Sequence, residues 1–274
     1  MKVTFIGGGN MATALIGGLL KNGWSPEDLA VAEIDAEARR RLQRKTGVKV
    51  YADLALAMAE PDCVVLAVKP QSMRDVARAL APLVRGTLVL TIAAGIRIGD
   101  LSRWLGGHKG IVRAMPNTPA LALAGVTGLY AADGVTANER SRAEQILAAA
   151  GRTLWVDSEE RIDGITAVSG SGPAYVFYFI EALQRAATQL GFDDNAARLL
   201  AVETFKGAAK LADESGESAA TLRARVTSKG GTTERALSEL EKSEVGNAIV
   251  RAVIAAAERS RELGHALGVD DKDS

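Results

Sequence analysis

Apolar residues fall into two different rhythms along the 274-residue chain. In the first half, short unbroken apolar runs alternate with longer stretches of helical spacing. Lys2-Val3-Thr4-Phe5-Ile6 is a β-prone run that ends in glycines. Ala12, Leu15, Ile16, Leu19 and Leu20 then follow the i, i+3, i+4, i+7, i+8 stripe of an amphipathic helix. Asn22-Gly23 is the expected helix stop. Residues 29–33 read as a second strand and 36–45 as a charged helix. Residues 63–68, 87–92 and 111–115 are apolar throughout or nearly so, as strands buried on both faces should be. Helical spacing fills the gaps, for example over 71–83. Strands alternating with helices predict an α/β, doubly wound parallel sheet of Rossmann type.

The rhythm changes after Trp155-Val156, where no further strand is expected. Residues 173–190 carry apolar positions at Val176, Ile180, Leu183, Ala187 and Leu190. Residues 195–212 and 245–263 are likewise helical and rich in alanine. The reading is a Rossmann-type α/β domain over 1–157 and an all-helical domain over 158–274. Residues 270–274 are polar, and a frayed end is expected there.

Composition narrows the chemistry. Lys+Arg and Asp+Glu both number 33, so the formal charge is zero. A general nucleic-acid binder normally carries a basic excess. A single cysteine, Cys63, rules out an intrachain disulfide framework and Cys-based zinc sites. Two histidines, His108 and His265, are a thin supply for histidine catalysis or metallation, and no metal site is expected. The most apolar long stretch, 172–190, is interrupted by Glu181, Gln184 and Arg185, so no membrane span is expected. The first nine residues run straight into a strand and a glycine cluster rather than a cleavable leader. The expected setting is the cytoplasm.

Gly7-Gly8-Gly9-Asn10-Met11-Ala12 fits G-x-G-x-x-A, between the first strand and the first helix. In that context the first glycine permits a tight turn and the second lets the backbone approach a pyrophosphate. The small third residue lets helix and strand pack closely. The helix start adds unpaired N–H groups and partial positive charge for the anion. Glu33 follows at the end of the second strand, where a carboxylate accepts from a ribose 2′-hydroxyl and favours NAD over NADP. Arg39-Arg40-Arg41 is the opposing signal, since arginine pairs with a 2′-phosphate. The cofactor is therefore NADPH or NADH.

A second anion-binding pattern lies far down the chain. Val226-Thr227-Ser228-Lys229-Gly230-Gly231-Thr232-Thr233-Glu234 leads into a short helical pattern over 234–240. Two glycines and several hydroxyls at a helix start form a nest of N–H donors suited to a carboxylate or phosphate, or an ordinary helix entry. Ser169-Gly170-Ser171-Gly172-Pro173 is a similar small-residue entry, with Pro173 suited to the first helical position.

At these residues the chain resembles the pyrroline-5-carboxylate reductase family, over nearly its whole length. Phe5-Ile6-Gly7-Gly8-Gly9-Asn10-Met11-Ala12 resembles the family's cofactor loop, and Ala67-Val68-Lys69-Pro70 its strand-end motif beside the nicotinamide half. Ile92-Ala93-Ala94-Gly95 and Met115-Pro116-Asn117-Thr118-Pro119-Ala120 are similar to two further family segments. Ala167-Val168-Ser169-Gly170-Ser171-Gly172-Pro173-Ala174-Tyr175 and residues 226–233 are similar to its helical-domain signatures. The chain departs from the family at Lys229, where many members carry proline. It departs again at Glu33, where many NADPH-preferring members carry small hydroxyl or other residues.

The resemblance implies reduction of 1-pyrroline-5-carboxylate to L-proline with a hydride from NAD(P)H, the last step of proline synthesis. It implies cofactor binding by Ile6, Gly7, Gly8, Gly9, Asn10, Met11, Ala12, Glu33, Ala67, Val68, Lys69, Pro70, Ala93, Ala94, Gly95 and Asn117. Ser228, Gly230, Gly231 and Thr232 would hold the substrate carboxylate. The Thr233 hydroxyl would meet the ring nitrogen as the catalytic group. A homodimer through the helical domain, or a larger assembly, is implied as well, and helices apolar on more than one face fit that expectation. Two alternatives stand beside this one. A β-hydroxyacid-type dehydrogenase would need a lysine such as Lys206, Lys210 or Lys229. A non-catalytic dinucleotide-sensing protein would need no catalytic group.

Overall fold

The computed structural model describes residues 1–268, so the expectation for 270–274 lies outside the described residues. The chain forms two compact units, one of Met1–Ser171 with the end of the last helix from Ala256, the other Gly172–Ala255.

The first unit is built on eight strands: β1 (Val3–Ile6), β2 (Leu29–Ala32), β3 (Lys49–Tyr51), β4 (Cys63–Leu66), β5 (Leu88–Thr91), β6 (Ile111–Met115), β7 (Gly125–Ala131) and β8 (Gly151–Trp155). They lie in one sheet in the order β3-β2-β1-β4-β5-β6-β7-β8. The apolar runs are unbroken because both sheet faces are covered. Val3 and Phe5 of β1 pack into one core, and Ile6 packs into the other. Cys63 and Val65 of β4 take the first side, Val64 and Leu66 the second. The first core is closed by Leu15, Ile16 and Leu19 of α1 (Asn10–Lys21), as their helical spacing requires. The second is closed by Met73, Ala77 and Leu80 of α4 (Met73–Leu80) and by Leu101 and Trp104 of α5 (Ile98–Trp104). Between these lie α2 (Ala36–Thr46), capped by Asp35, and the short α3 (Leu54–Ala57).

The sheet is not wholly parallel. β7 runs antiparallel to β6, and β8 is parallel to β7. The physical reason is the length of the connection. Only Pro116 to Ala124 separate β6 from β7. A parallel crossover needs a dozen or more residues, so the chain turns back. Between β7 and β8 the helix α6 (Ala137–Ala148) supplies a full crossover.

Strands end at Trp155, but the first unit continues to Ser171. The short helix α7 (Arg161–Ile165) and the π turn Thr166–Gly170 belong to the sheet by packing, with Ile162 and Ala167 buried. Gly128 of β7 is needed for this, since a Cβ there would lie 2.7 Å from Ile165.

The second unit is all helical: α8 (Gly172–Gln189), α9 (Asp194–Ser215), α10 (Ala219–Arg225), α11 (Thr232–Lys242) and the first part of α12 (Val245–Gly268). Its large apolar side chains are poorly covered. Phe177 and Tyr178 are 64% and 67% exposed, Leu190 79% and Leu199 63%. No described helix is long and apolar enough to cross a membrane.

Candidate active site

In the first unit the expected cofactor positions converge on the carboxyl ends of β1, β2, β4, β5 and β6, the edge where open α/β sheets bind ligands. Gly7 has φ +98°, and a Cβ there would sit 2.7 Å from the Ala67 carbonyl oxygen. Ala67 in turn donates its N–H to the Ile6 carbonyl at 2.8 Å, so the two strand ends are locked together. At Gly8 a Cβ would press on Leu42 and Glu33 at 3.2 and 3.3 Å. Gly9 faces open space and is the N-cap of α1, with no side-chain capping bond. The first-turn N–H groups at Asn10 and Met11 therefore face an unobstructed approach. Ala12 is fully buried and lets α1 lie close on the sheet. The Ile6 side chain is a core residue, so only its backbone belongs to the edge.

Glu33 is drawn into this loop. Its Oε2 accepts from the Gly8 N–H and its Oε1 from the Asp35 N–H, both at 2.8 Å. Arg39 is not free to meet a phosphate, because its Nη1 donates to the carbonyls of Glu33 and Ile34 at 2.8 Å each. Arg41 and Lys45 instead line a cavity of about 260 Å³ with Gly8, Asn10, Thr13, Leu42 and Leu121. Of the three arginines in the run, Arg41 is the one beside the glycine loop. Lys45, one turn further along α2, had no sequence signal of its own.

The remaining expected positions differ in what they offer. Ala67, Val68 and Lys69 form the segment after β4, and Pro70 opens a 3-10 turn. Ala93 is nearly buried, Ala94 is exposed, and Gly95 turns with φ +74° against Leu267. The Asn117 side chain is 9% exposed and already engaged. Its Nδ2 donates to the Ser169 carbonyl at 3.0 Å, and its Oδ1 accepts from the Val126 N–H at 2.9 Å. Asn117 thus braces the turn between β6 and β7 against the π turn.

These residues fit a dinucleotide. The glycines form a cradle that a Cβ would fill or distort, and an uncapped helix start faces it. No cluster of metal-ligating side chains occurs among the described residues. Cys63 is fully buried in β4, and burial pushes its thiol well above the usual range.

In the second unit, Ser228, Lys229, Gly230 and Gly231 form a turn closed by Gly231 N–H donating to the Ser228 carbonyl at 3.0 Å. Gly230 has φ +71°. A Cβ on Gly231 would fall 2.5 Å from Ser228 Oγ, so the hydroxyl and the glycine are matched. Gly231 is also the N-cap of α11 and gives it no side-chain cap. The N–H groups of Thr232 and Thr233 start the helix. The Gly230 N–H, expected to serve a ligand, is instead held by Glu234 Oε2 at 2.6 Å. The lysines of the hydroxyacid-dehydrogenase alternative are on solvent faces. Lys206 pairs with Glu203 at 3.2 Å and Lys210 with Glu214 at 3.8 Å, and both lysines are 71% exposed.

Comparison with known proteins bears on this site. Residues 159–263 match the family described as pyrroline-5-carboxylate reductase dimerisation, and residues 2–95 match NADP oxidoreductase, coenzyme F420-dependent. The pyrroline-5-carboxylate reductase of Pseudomonas aeruginosa is 43% identical over 97% of this chain and 98% of its own. The chain belongs to the pyrroline-5-carboxylate reductase family. A solved family member from Coxiella burnetii superposes with a TM-score of 0.91 at 42% identity, covering 96% of this chain and 98% of the other. The Plasmodium falciparum pyrroline carboxylate reductase, solved with NADP bound, gives a TM-score of 0.86 at 29% identity, covering 96% and 98%. As a member of the family, this chain is an NAD(P)H-dependent oxidoreductase type with a nicotinamide dinucleotide cofactor and an oligomerising helical domain.

One buried network escaped the sequence reading. Arg113, 2% exposed, donates to Glu159 Oε1 at 2.9 Å and lies 3.6 Å from Asp163 Oδ1. Glu159 Oε1 also accepts from the Ile98 N–H at 2.8 Å, and Asp163 Oδ1 accepts from the Ser260 hydroxyl at 2.7 Å. Its one visible signal was a charge inside an apolar strand run, Ile111-Val112-Arg113-Ala114-Met115.

Proposed function

We propose that this protein reduces 1-pyrroline-5-carboxylate to L-proline with NAD(P)H, the last step of proline synthesis. The observation that carries the reading is the coexistence of a dinucleotide cradle at Gly7–Gly9 with a hydroxyl-rich, uncapped helix start at Ser228–Thr233 in a chain of this family. When bound, the reduced nicotinamide supplies the hydride that reaches the carbon of the C=N bond. A protonated cyclic imine is already electrophilic, so placement matters more than a strong acid, and the shortage of histidines is no handicap. Ser228 Oγ and the open N–H groups of Thr232 and Thr233 hold the substrate carboxylate. The Thr233 hydroxyl hydrogen-bonds the ring nitrogen and relays a proton from water when the imine arrives neutral.

The cofactor reading is that both NADH and NADPH serve, with NADH at least comparable. Glu33, set by two backbone donors, accepts from a ribose hydroxyl, while Arg41 and Lys45 offer positive charge to a 2′-phosphate. The helical unit pairs two copies and so covers exposed apolar side chains such as Phe177, Tyr178 and Leu199. A lone buried free thiol supports a cytoplasmic setting.

Initial rates with 1-pyrroline-5-carboxylate test the activity, and absence of NADH and NADPH oxidation would overturn it. Thr233→Ala is expected to lower kcat/KM by about 10- to 100-fold, the size of one hydrogen bond to a charged group. Cofactor binding, followed by protein fluorescence, should stay as in the parent. Light scattering is expected to show a dimer or larger, and a monomer at working concentration would refute the pairing.

A further inference from the structure

The turn that opens α11 has an unusual support. Ser228, Lys229, Gly230 and Gly231 occupy its four positions, with the closing bond from the Gly231 N–H to the Ser228 carbonyl. Gly230, third in the turn, has φ +71°, while Lys229, second, has no positive φ. That is the type II pattern, in which glycine suits the third place and proline the second. Lysine in the second place leaves the backbone free to leave the turn, because nothing pre-sets its φ. The chain supplies a different restraint. Glu234, in the first turn of α11, reaches back and takes the Gly230 N–H on Oε2 at 2.6 Å. A carboxylate on a backbone N–H is a charge-assisted bond, and a negative charge there also favours the helix start.

The same bond removes Gly230 from the donors open to a ligand. The Gly231 N–H is occupied by Ser228, so Ser228 Oγ and the N–H groups of Thr232 and Thr233 remain on offer. All are held in register by the turn. A collapsed turn would swing Ser228 away from the helix start. Glu234 also borders a surface cavity of about 300 Å³ with Arg223, Thr227 and Glu241.

We propose that Glu234 is a positioning residue for substrate binding: by holding the Gly230 N–H it fixes the turn that presents Ser228, Thr232 and Thr233 to the substrate carboxylate. The inference rests on the reading that this loop binds 1-pyrroline-5-carboxylate. It assigns Glu234 no contact with substrate or cofactor.

The test is steady-state kinetics on Glu234→Ala, Glu234→Gln and the double variant Lys229→Pro/Glu234→Ala. Glu234→Ala is expected to raise KM for 1-pyrroline-5-carboxylate roughly tenfold, the size of one charge-assisted hydrogen bond. Its kcat at saturating substrate and its NADPH affinity by fluorescence titration should stay within about twofold of the parent. Glu234→Gln keeps an acceptor and is expected to show a smaller rise. Proline at position 229 restrains the turn by its ring and should return KM toward the parent value. An unchanged KM in Glu234→Ala, or a double variant no better than the single one, would overturn the proposal. A lowered KM would also overturn it, by showing that the carboxylate competes with substrate for the Gly230 N–H. A parent enzyme that oxidises no NAD(P)H with this substrate would sink the underlying function instead, and the two failures are therefore distinct.

Discussion

Ser260 donates its hydroxyl to Asp163 Oδ1 at 2.7 Å, joining the last helix to the short helix that follows the sheet. Both residues are buried, at 5% and 3% exposure, and Asp163 also faces Arg113 at 3.6 Å and Arg97 at 3.9 Å. The helix comes this close because small residues recur on one face. A Cβ at Gly264 would lie 3.2 Å from Arg97 Nε, and one at Gly268 would lie within contact of Asp100. Removing Asp163 leaves Arg113 buried beside Glu159 alone. Asp163→Ala is therefore expected to cost about 3–5 kcal/mol, whereas Ser260→Ala costs about 1–2 kcal/mol. Urea unfolding of both variants checks the order, and equal losses would contradict it.

Adjacent glycines in α1 should respond with opposite sign. A Cβ at Gly18 would fall 2.1 Å from the Ala149 carbonyl oxygen, whereas Gly17 has nothing within 4 Å. Gly17→Ala gains helix propensity and is expected to stabilise by about 0.5–1 kcal/mol. Gly18→Ala gains the same propensity but must push backbone apart, and a net loss of about 1–3 kcal/mol follows. Thermal unfolding of the two single variants is the measurement.

Cofactor choice should depend on α2. Replacing Arg41 and Lys45 together by alanine is expected to weaken 2′-phospho-ADP-ribose binding about tenfold and leave ADP-ribose binding as in the parent. Calorimetry on the protein without substrate reads this apart from turnover. An equal effect on both ligands would mean that the two cations act on the shared diphosphate.

Cys63 carries a pH signature. Its thiol is buried, and desolvation raises its pKa in the folded chain. In the unfolded chain the thiol ionises near pH 8.5. Below that value both states hold the proton and stability is at its full level. Above it only the unfolded chain releases the proton, so stability falls by up to about 1.4 kcal/mol per pH unit from this group. Cys63→Val should flatten the fall between pH 8 and 10 relative to the parent, within roughly those limits. Alkylation of native Cys63 at neutral pH should be slow and become fast on denaturation.

Much of this protein was legible in its residue order. Local rules sufficed where one segment carries its own signal. The unbroken run Cys63-Val64-Val65-Leu66 became a strand buried on both faces, and the Leu15, Ile16 and Leu19 stripe became the core face of α1. The glycine cluster stood at a strand end and a helix start, as its pattern required. Local rules failed where partners are far apart in sequence. The reversal at β7 depended on a connection too short to cross over. The Arg113 charge in an apolar run found its partners 46 and 50 residues on.

The sequence by itself therefore determined the two-part α/β and helical architecture, the strand-end position of the glycine loop and the family. Periodicity and glycine chemistry are short-range and act within each segment. Only the tertiary structure decided that Arg39 is bound to the Glu33 and Ile34 carbonyls while Arg41 and Lys45 line the cavity beside the cradle. Only it decided that Asn117 braces a turn, and that Glu234 occupies the Gly230 N–H. Those outcomes depend on which donor meets which acceptor once the backbone is folded, and side-chain direction in three dimensions is not encoded by spacing alone.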